Sequence, residues 1–186
     1  DAELRAWAEF GMRGRYSHGW IDGLPYSEVM PATDLVRIQR EWIGPSSPTQ
    51  GLIDLGRAVR GPMYTEYDIY APEIRAAFEL DLPLVMHAGI TRERTISAVK
   101  LRDEGFLNER TTLVHFLLAN EKDREAMAET GTSLSSTIKS ELRGQSDGGF
   151  RRSFLHMLNA GVNVCLSGVD ANTTSASSMF DAMSTA

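Results

Sequence analysis

The sequence predicts a parallel α/β fold built from repeated strand–helix units, read as part of a (β/α)8 barrel of the TIM type covering about strands three to eight. Three observations carry this. Short apolar, β-branched runs begin near residues 82, 111, 132 and 162, and an amphipathic stretch follows each. Glycines or capping residues punctuate the junctions. The first half repeats the rhythm, giving six units where a closed barrel of about 250 residues has eight. An open doubly wound sheet is the alternative reading of the same rhythm.

The clearest elements lie in the second half. LPLVMH (82–87) reads as a short buried strand and ERTISAVKLRDEG (93–105) as a helix closed by glycine. TTLVHF (111–116) is the next strand. NEKDREAMAETG (120–131) is a helix with Asn120 as N-cap, acids in its first turn and Gly131 at C′. TSLSST (132–137) is a strand, GGFRRSFLHMLNAG (148–161) a helix, VNVCLSGVD (162–170) a strand, and SSMFDAM the start of another helix. Earlier, GMRGRYSHG (11–19) is a strand, ATDLVRIQREWIG (32–44) a helix and GLIDLGRAV (51–59) a strand. A helix is predicted from Pro72 to Asp81. Both ends look cut: DAELRAWAEF is helical from its first residue, and SSMFDAMSTA ends without a stop signal. The expectation is one barrel domain over 1–186, incomplete at both ends.

Composition narrows the function classes. The chain is 42% hydrophobic and 24% charged, which suits one soluble core. A net charge of −6 without a basic cluster argues against nucleic acid. No apolar run is long enough to span a membrane. The single Cys165 excludes an internal disulfide framework and fits a reducing cytoplasm. GQSDGG (144–149) lacks phosphate-loop spacing, and no G-x-S-x-G nucleophile elbow occurs.

Chemistry-bearing residues gather at strand ends. The strand at 82 ends on His87, the strand at 111 near His115 and the strand at 162 on Asp170. In a parallel α/β architecture strand C-termini share one face, where active sites form. Two imidazoles and a carboxylate are a donor set suited to zinc, with iron or manganese as alternatives. Glu141, in SSTIKSELRG, and Arg60, in AVRGP, follow neighbouring strands and are candidates for substrate binding. His156 lies within a helix and reads as structural.

The segments LPLVMHAG (82–89), TTLVHFLLANEKDREAMAETGTSLSST (111–137) and HMLNAGVNVCLSGVD (156–170) together resemble the amidohydrolase superfamily, in the branch of cytosine and guanine deaminases and triazine chlorohydrolases. The resemblance implies a metal ligand in His87 after strand five, and a ligand or substrate-polarising group in His115 after strand six. It implies that Asp170, after strand eight, contacts the metal and takes a proton from its water. The implied activity is hydrolysis of a C–N bond, or less readily a C–Cl bond, in a small cyclic amide, amidine or aminated ring, with a homo-oligomer left open. The H-x-H of strand one is absent, His18 being the only earlier histidine, and Ile90 stands where deaminases of this branch carry a glutamate. A non-catalytic fragment or ligand-binding α/β scaffold is the alternative.

Overall fold

Every strand lies beside its neighbours in sequence, in the order β1-β2-β3-β4-β5-β6. A computed structural model of the chain describes residues 1–19, 23–89, 95–138, 141, 149–167 and 179–185. The strands are β1 (Gly14–His18), β2 (Ile53–Val59), β3 (Leu84–His87), β4 (Thr111–Val114), β5 (Ser133–Ser136) and β6 (Val164–Leu166). The helices are α1 (Ala2–Glu9), α2 (Thr33–Trp42), α3 (Tyr67–Glu79), α4 (Ala98–Asp103), α5 (Glu121–Thr130), α6 (Gly149–Asn159) and α7 (Met179–Thr185). A doubly wound sheet would reverse its strand order at a switch point. The order here runs straight through with a helix after each strand, which is the barrel arrangement.

The chain divides into two compact units, Asp1–Val85 and Met86–Ala186. In the first, β1 and β2 pair in parallel, with Gly14 opposite Ile53 and His18 opposite Arg57. Strand β2 is buried at alternate positions and beyond, because α2 and α3 both pack on it. Leu35 and Ile38 of α2, and Ala71, Ile74 and Ala77 of α3, are buried at helical spacing. Helix α3 begins at Tyr67, five residues before the sequence placed it, with Pro72 inside. Pro72 stands one turn in, so its missing N–H costs a single intrahelical bond. The buried apolar residues beside it fix the helix there.

In the second unit, β4 pairs in parallel with β5 and β5 with β6, Leu113 facing Leu134 and Ser135 facing Cys165. Helix α5 matches its sequence reading. Asn120 and Asp123 form a reciprocal capping box, and Gly131 ends the helix in the left-handed region at φ 69°. Helix α4 is shorter than its pattern, since Ser97 caps it and accepts from the Lys100 amide. Asp123 serves both helices: its Oδ1 also accepts from the Ala98 amide of α4 at 2.8 Å. Strand β6 ends at Leu166, and 168–170 lie outside the described residues.

Candidate metal-binding and catalytic site

The apolar residues Leu84 and Met86 of β3 are buried, and the strand then delivers His87 to the surface. Two small residues follow. The Ala88 amide donates to Val114 O at 2.9 Å, and Gly89 O accepts from the Leu117 amide at 3.2 Å. These bonds tie the ends of β3 and β4 together. His87 is solvent-accessible, yet the protein around its ring pushes its pKa below the usual histidine value, and the charge of His115 pushes the same way.

Strand β4 stops at Val114, two residues earlier than TTLVHF suggests, because His115 and Phe116 turn into the left-handed region at φ 73° and 48°. Two consecutive non-glycine residues there are strained by about 1–2 kcal/mol each. Packing and hydrogen bonds hold them. Phe116 is fully buried, and the His115 amide donates to Ser135 O at 3.0 Å. The turn brings the His115 ring beside His87, with centroids 5.4 Å apart and planes inclined by 31°.

Behind His115 lies a buried carboxylate. Glu141 Oε1 is 2.8 Å from His115 Nδ1, and the Glu141 side chain is only 1% exposed. The same oxygen accepts from the Thr137 amide at 2.8 Å and from Thr137 Oγ1 at 3.3 Å. Oε2 accepts from Ser136 Oγ at 2.6 Å. Thr137 Oγ1 is also 3.0 Å from His115 Nδ1. Because an ionised carboxylate only accepts, Nδ1 of a neutral His115 carries the proton and Nε2 keeps the lone pair. A carboxylate–histidine pair of this kind orients an imidazole toward a metal.

The other candidates fall elsewhere. Arg60 follows β2, and its guanidinium is spent inside the first unit: Nη1 donates to Pro25 O at 2.8 Å, and Nη2 bonds Glu28 O and Glu73 Oε1. Both ends of the Arg60–Glu73 pair are buried, and Glu73 Oε1 also accepts from the Met30 amide at 3.0 Å. These contacts hold residues 25–30 in place and leave no exposed guanidinium edge for a ligand. His18 closes β1, with Nε2 3.2 Å from Asp34 Oδ2 and Nδ1 2.9 Å from Arg57 Nη1. Burial and the Arg57 charge lower its pKa, against the opposing pull of Asp34. His156 is exposed on α6. Asp170 lies outside the described residues. Among the described residues, no three His, Cys, Asp or Glu side chains group to hold a metal ion. The donors present, two imidazoles side by side with one ring braced through Nδ1, fit a borderline metal such as zinc as part of a ligand set.

Sequence reasoning missed Arg57, Glu73, Ser136 and Thr137. A charged residue inside the apolar run LIDLGRAV was a usable signal for Arg57. The hydroxyls of Ser136 and Thr137, just before Glu141 in sequence, carry none until the turn is folded.

Several solved structures share this fold. A triazine hydrolase from Arthrobacter aurescens superposes with TM-score 0.73 at 15% identity, over 95% of this chain and 42% of that one. An adenosine deaminase from Xanthomonas campestris with bound zinc gives 0.72 at 18% identity, over 97% and 42%. A guanine deaminase from C. acetobutylicum with guanine in its active site gives 0.74 at 13%, over 100% and 46%. The chain has the fold of part of a (β/α)8 barrel. It spans less than half the length of these barrel enzymes. No protein-family model and no curated protein sequence matches it. Among the described residues of this partial barrel, no helix is long and apolar enough to cross a membrane.

Proposed function

We propose that this chain is part of a metal-dependent hydrolase that cleaves a C–N bond, or less readily a C–Cl bond, in a small cyclic amide, amidine or aminated ring. The observation that carries the reading is the juxtaposed pair His87 and His115 at the ends of adjacent barrel strands, with His115 braced by a buried carboxylate. The fold neighbours support it, since they are hydrolases and deaminases of ring compounds and one holds zinc.

His87 and His115 would hold the divalent metal, with Asp170 as a further ligand. A metal of this class, when bound, supplies water activated for attack at neutral pH. The depressed pKa of His87 keeps its ring neutral, as a ligand must be. Asp170 is the group assigned to accept a proton and return it to the leaving nitrogen. Ile90 cannot exchange protons, so deamination that relies on a carboxylate three residues after the strand-five histidine is disfavoured. Amide hydrolysis and dechlorination need no such group there.

The test is metal analysis of the polypeptide that contains this chain, beside a substrate screen of cyclic amides, aminated rings and chlorinated triazines. Stoichiometric metal and turnover lost on chelation are expected. A polypeptide that binds no divalent metal and turns over none of these compounds would overturn the proposal and leave a ligand-binding scaffold.

A further inference from the structure

We infer that Glu141 is a positioning residue that locks His115 in its Nδ1–H tautomer and so presents the Nε2 lone pair to whatever the site holds. The inference deepens the reading above, because it says how one member of the site is prepared, but the tautomer itself depends on no metal.

Three observations combine. The Glu141 carboxylate is buried and receives four donors: His115 Nδ1, the Thr137 amide, Thr137 Oγ1 and Ser136 Oγ. Such a carboxylate cannot swing away to meet a substrate without stranding those donors, each at about 1–3 kcal/mol. That separates it from a substrate-binding role. Second, His115 sits at φ 73° and Phe116 at φ 48°, a strained turn that needs an external anchor. The Nδ1···Oε1 bond at 2.8 Å is charge-assisted and supplies one. Third, Glu141 and Thr137 are separated by one helical turn, and the Glu141 amide donates to Thr137 O at 3.1 Å. The chain leaving β5 therefore folds back to place its carboxylate under the histidine that ends β4. Together these make a rigid triad in which the imidazole can neither rotate freely nor exchange its ring proton between nitrogens.

Nitrogen-15 NMR of the histidine-labelled chain at pH 8, without metal, reads this directly. His115 is assigned by the signal lost in His115→Asn. A pyrrole-type Nδ1 and pyridine-type Nε2 are expected in the wild type. Glu141→Ala should shift the ring toward the Nε2–H form, while Glu141→Gln, which keeps a carbonyl oxygen at the acceptor position, should hold the wild-type pattern. Zinc affinity, measured by competition with a chelating dye, should fall about 10–100-fold in Glu141→Ala and much less in Glu141→Gln. A wild-type His115 already in the Nε2–H form, or a folded Glu141→Ala with an unchanged tautomer, would overturn the inference. The wild-type spectrum decides even where Glu141→Ala does not fold. A correct tautomer in a protein without metal or turnover would sink the hydrolase reading and leave this one standing.

Discussion

His87 and His115 stand with ring centroids 5.4 Å apart at the ends of adjacent strands. Each ring is delivered by a different device: His87 by the end of a straight buried strand, His115 by a left-handed turn. If both bind one metal, removing either should cost binding. His87→Ala and His115→Ala are each expected to lower zinc affinity by more than tenfold, measured by dye competition, and to abolish turnover in the full polypeptide. Retention of wild-type affinity in both variants would place the metal elsewhere.

Asp170→Asn should separate chemistry from binding. Asparagine still offers an oxygen but accepts no proton at neutral pH, so kcat should fall about 10²–10⁴-fold while metal content changes far less. The comparison is metal stoichiometry beside kcat on the best substrate found. A near-normal kcat would move the proton shuttle to another residue.

His18 sets a pH dependence of stability. Its Nδ1 accepts from Arg57 Nη1 at 2.9 Å, so a second ring proton would point at a guanidinium. Burial and that charge hold its folded pKa below the usual value. As pH falls below the unfolded value of about 6.5, the unfolded chain takes up the proton first, and the folded state loses stability. Urea unfolding at pH 7.5 and 5.5 should show a smaller loss in His18→Gln than in the wild type. An equal loss in the two would show that His18 does not contribute.

The buried Arg60–Glu73 pair predicts a strongly non-additive cycle. Glu73→Leu strands the Arg60 guanidinium, which is 1% exposed, and should cost about 3–5 kcal/mol. Arg60→Met should cost a similar amount. The double variant removes both charges and should cost clearly less than their sum, by at least about 1 kcal/mol. Denaturant unfolding of the four proteins gives the coupling directly, and simple additivity would contradict the pairing.

Asp123 joins two helices, since its carboxylate closes the α5 capping box and accepts from the Ala98 amide of α4. Asp123→Ala should therefore cost more than an ordinary cap, about 2–3 kcal/mol rather than about 1. Asn120→Ala, which touches α5 alone, is the control. Equal losses in the two variants would show that the bond to α4 contributes little.

The sequence by itself determined the succession of strands and helices, the caps of α5 and the position of His87. Each of these is set by local periodicity or by a single residue's backbone preference. It also located His115 at the end of its strand and carried the amidohydrolase resemblance, because those anchors are linear features; Asp170 lies outside the described residues. Only the tertiary structure decided the rest. The start of α3 depends on packing around Pro72, which overrides the usual rule that proline opens a helix. The left-handed turn at His115 and Phe116 has no glycine to announce it, and long-range bonds from Ser135 and Glu141 sustain it. Arg60 looked like a residue free to meet a ligand, yet its guanidinium is taken up by Glu73 and by the carbonyls of Pro25 and Glu28, and Glu73 stands on a helix thirteen positions away. Glu141 stands in the sequence as a lone charged residue and a candidate for substrate binding, and only folding surrounds its carboxylate with four donors. Buried polar groups must find partners, and those partners come from distant parts of the chain that no local pattern reveals.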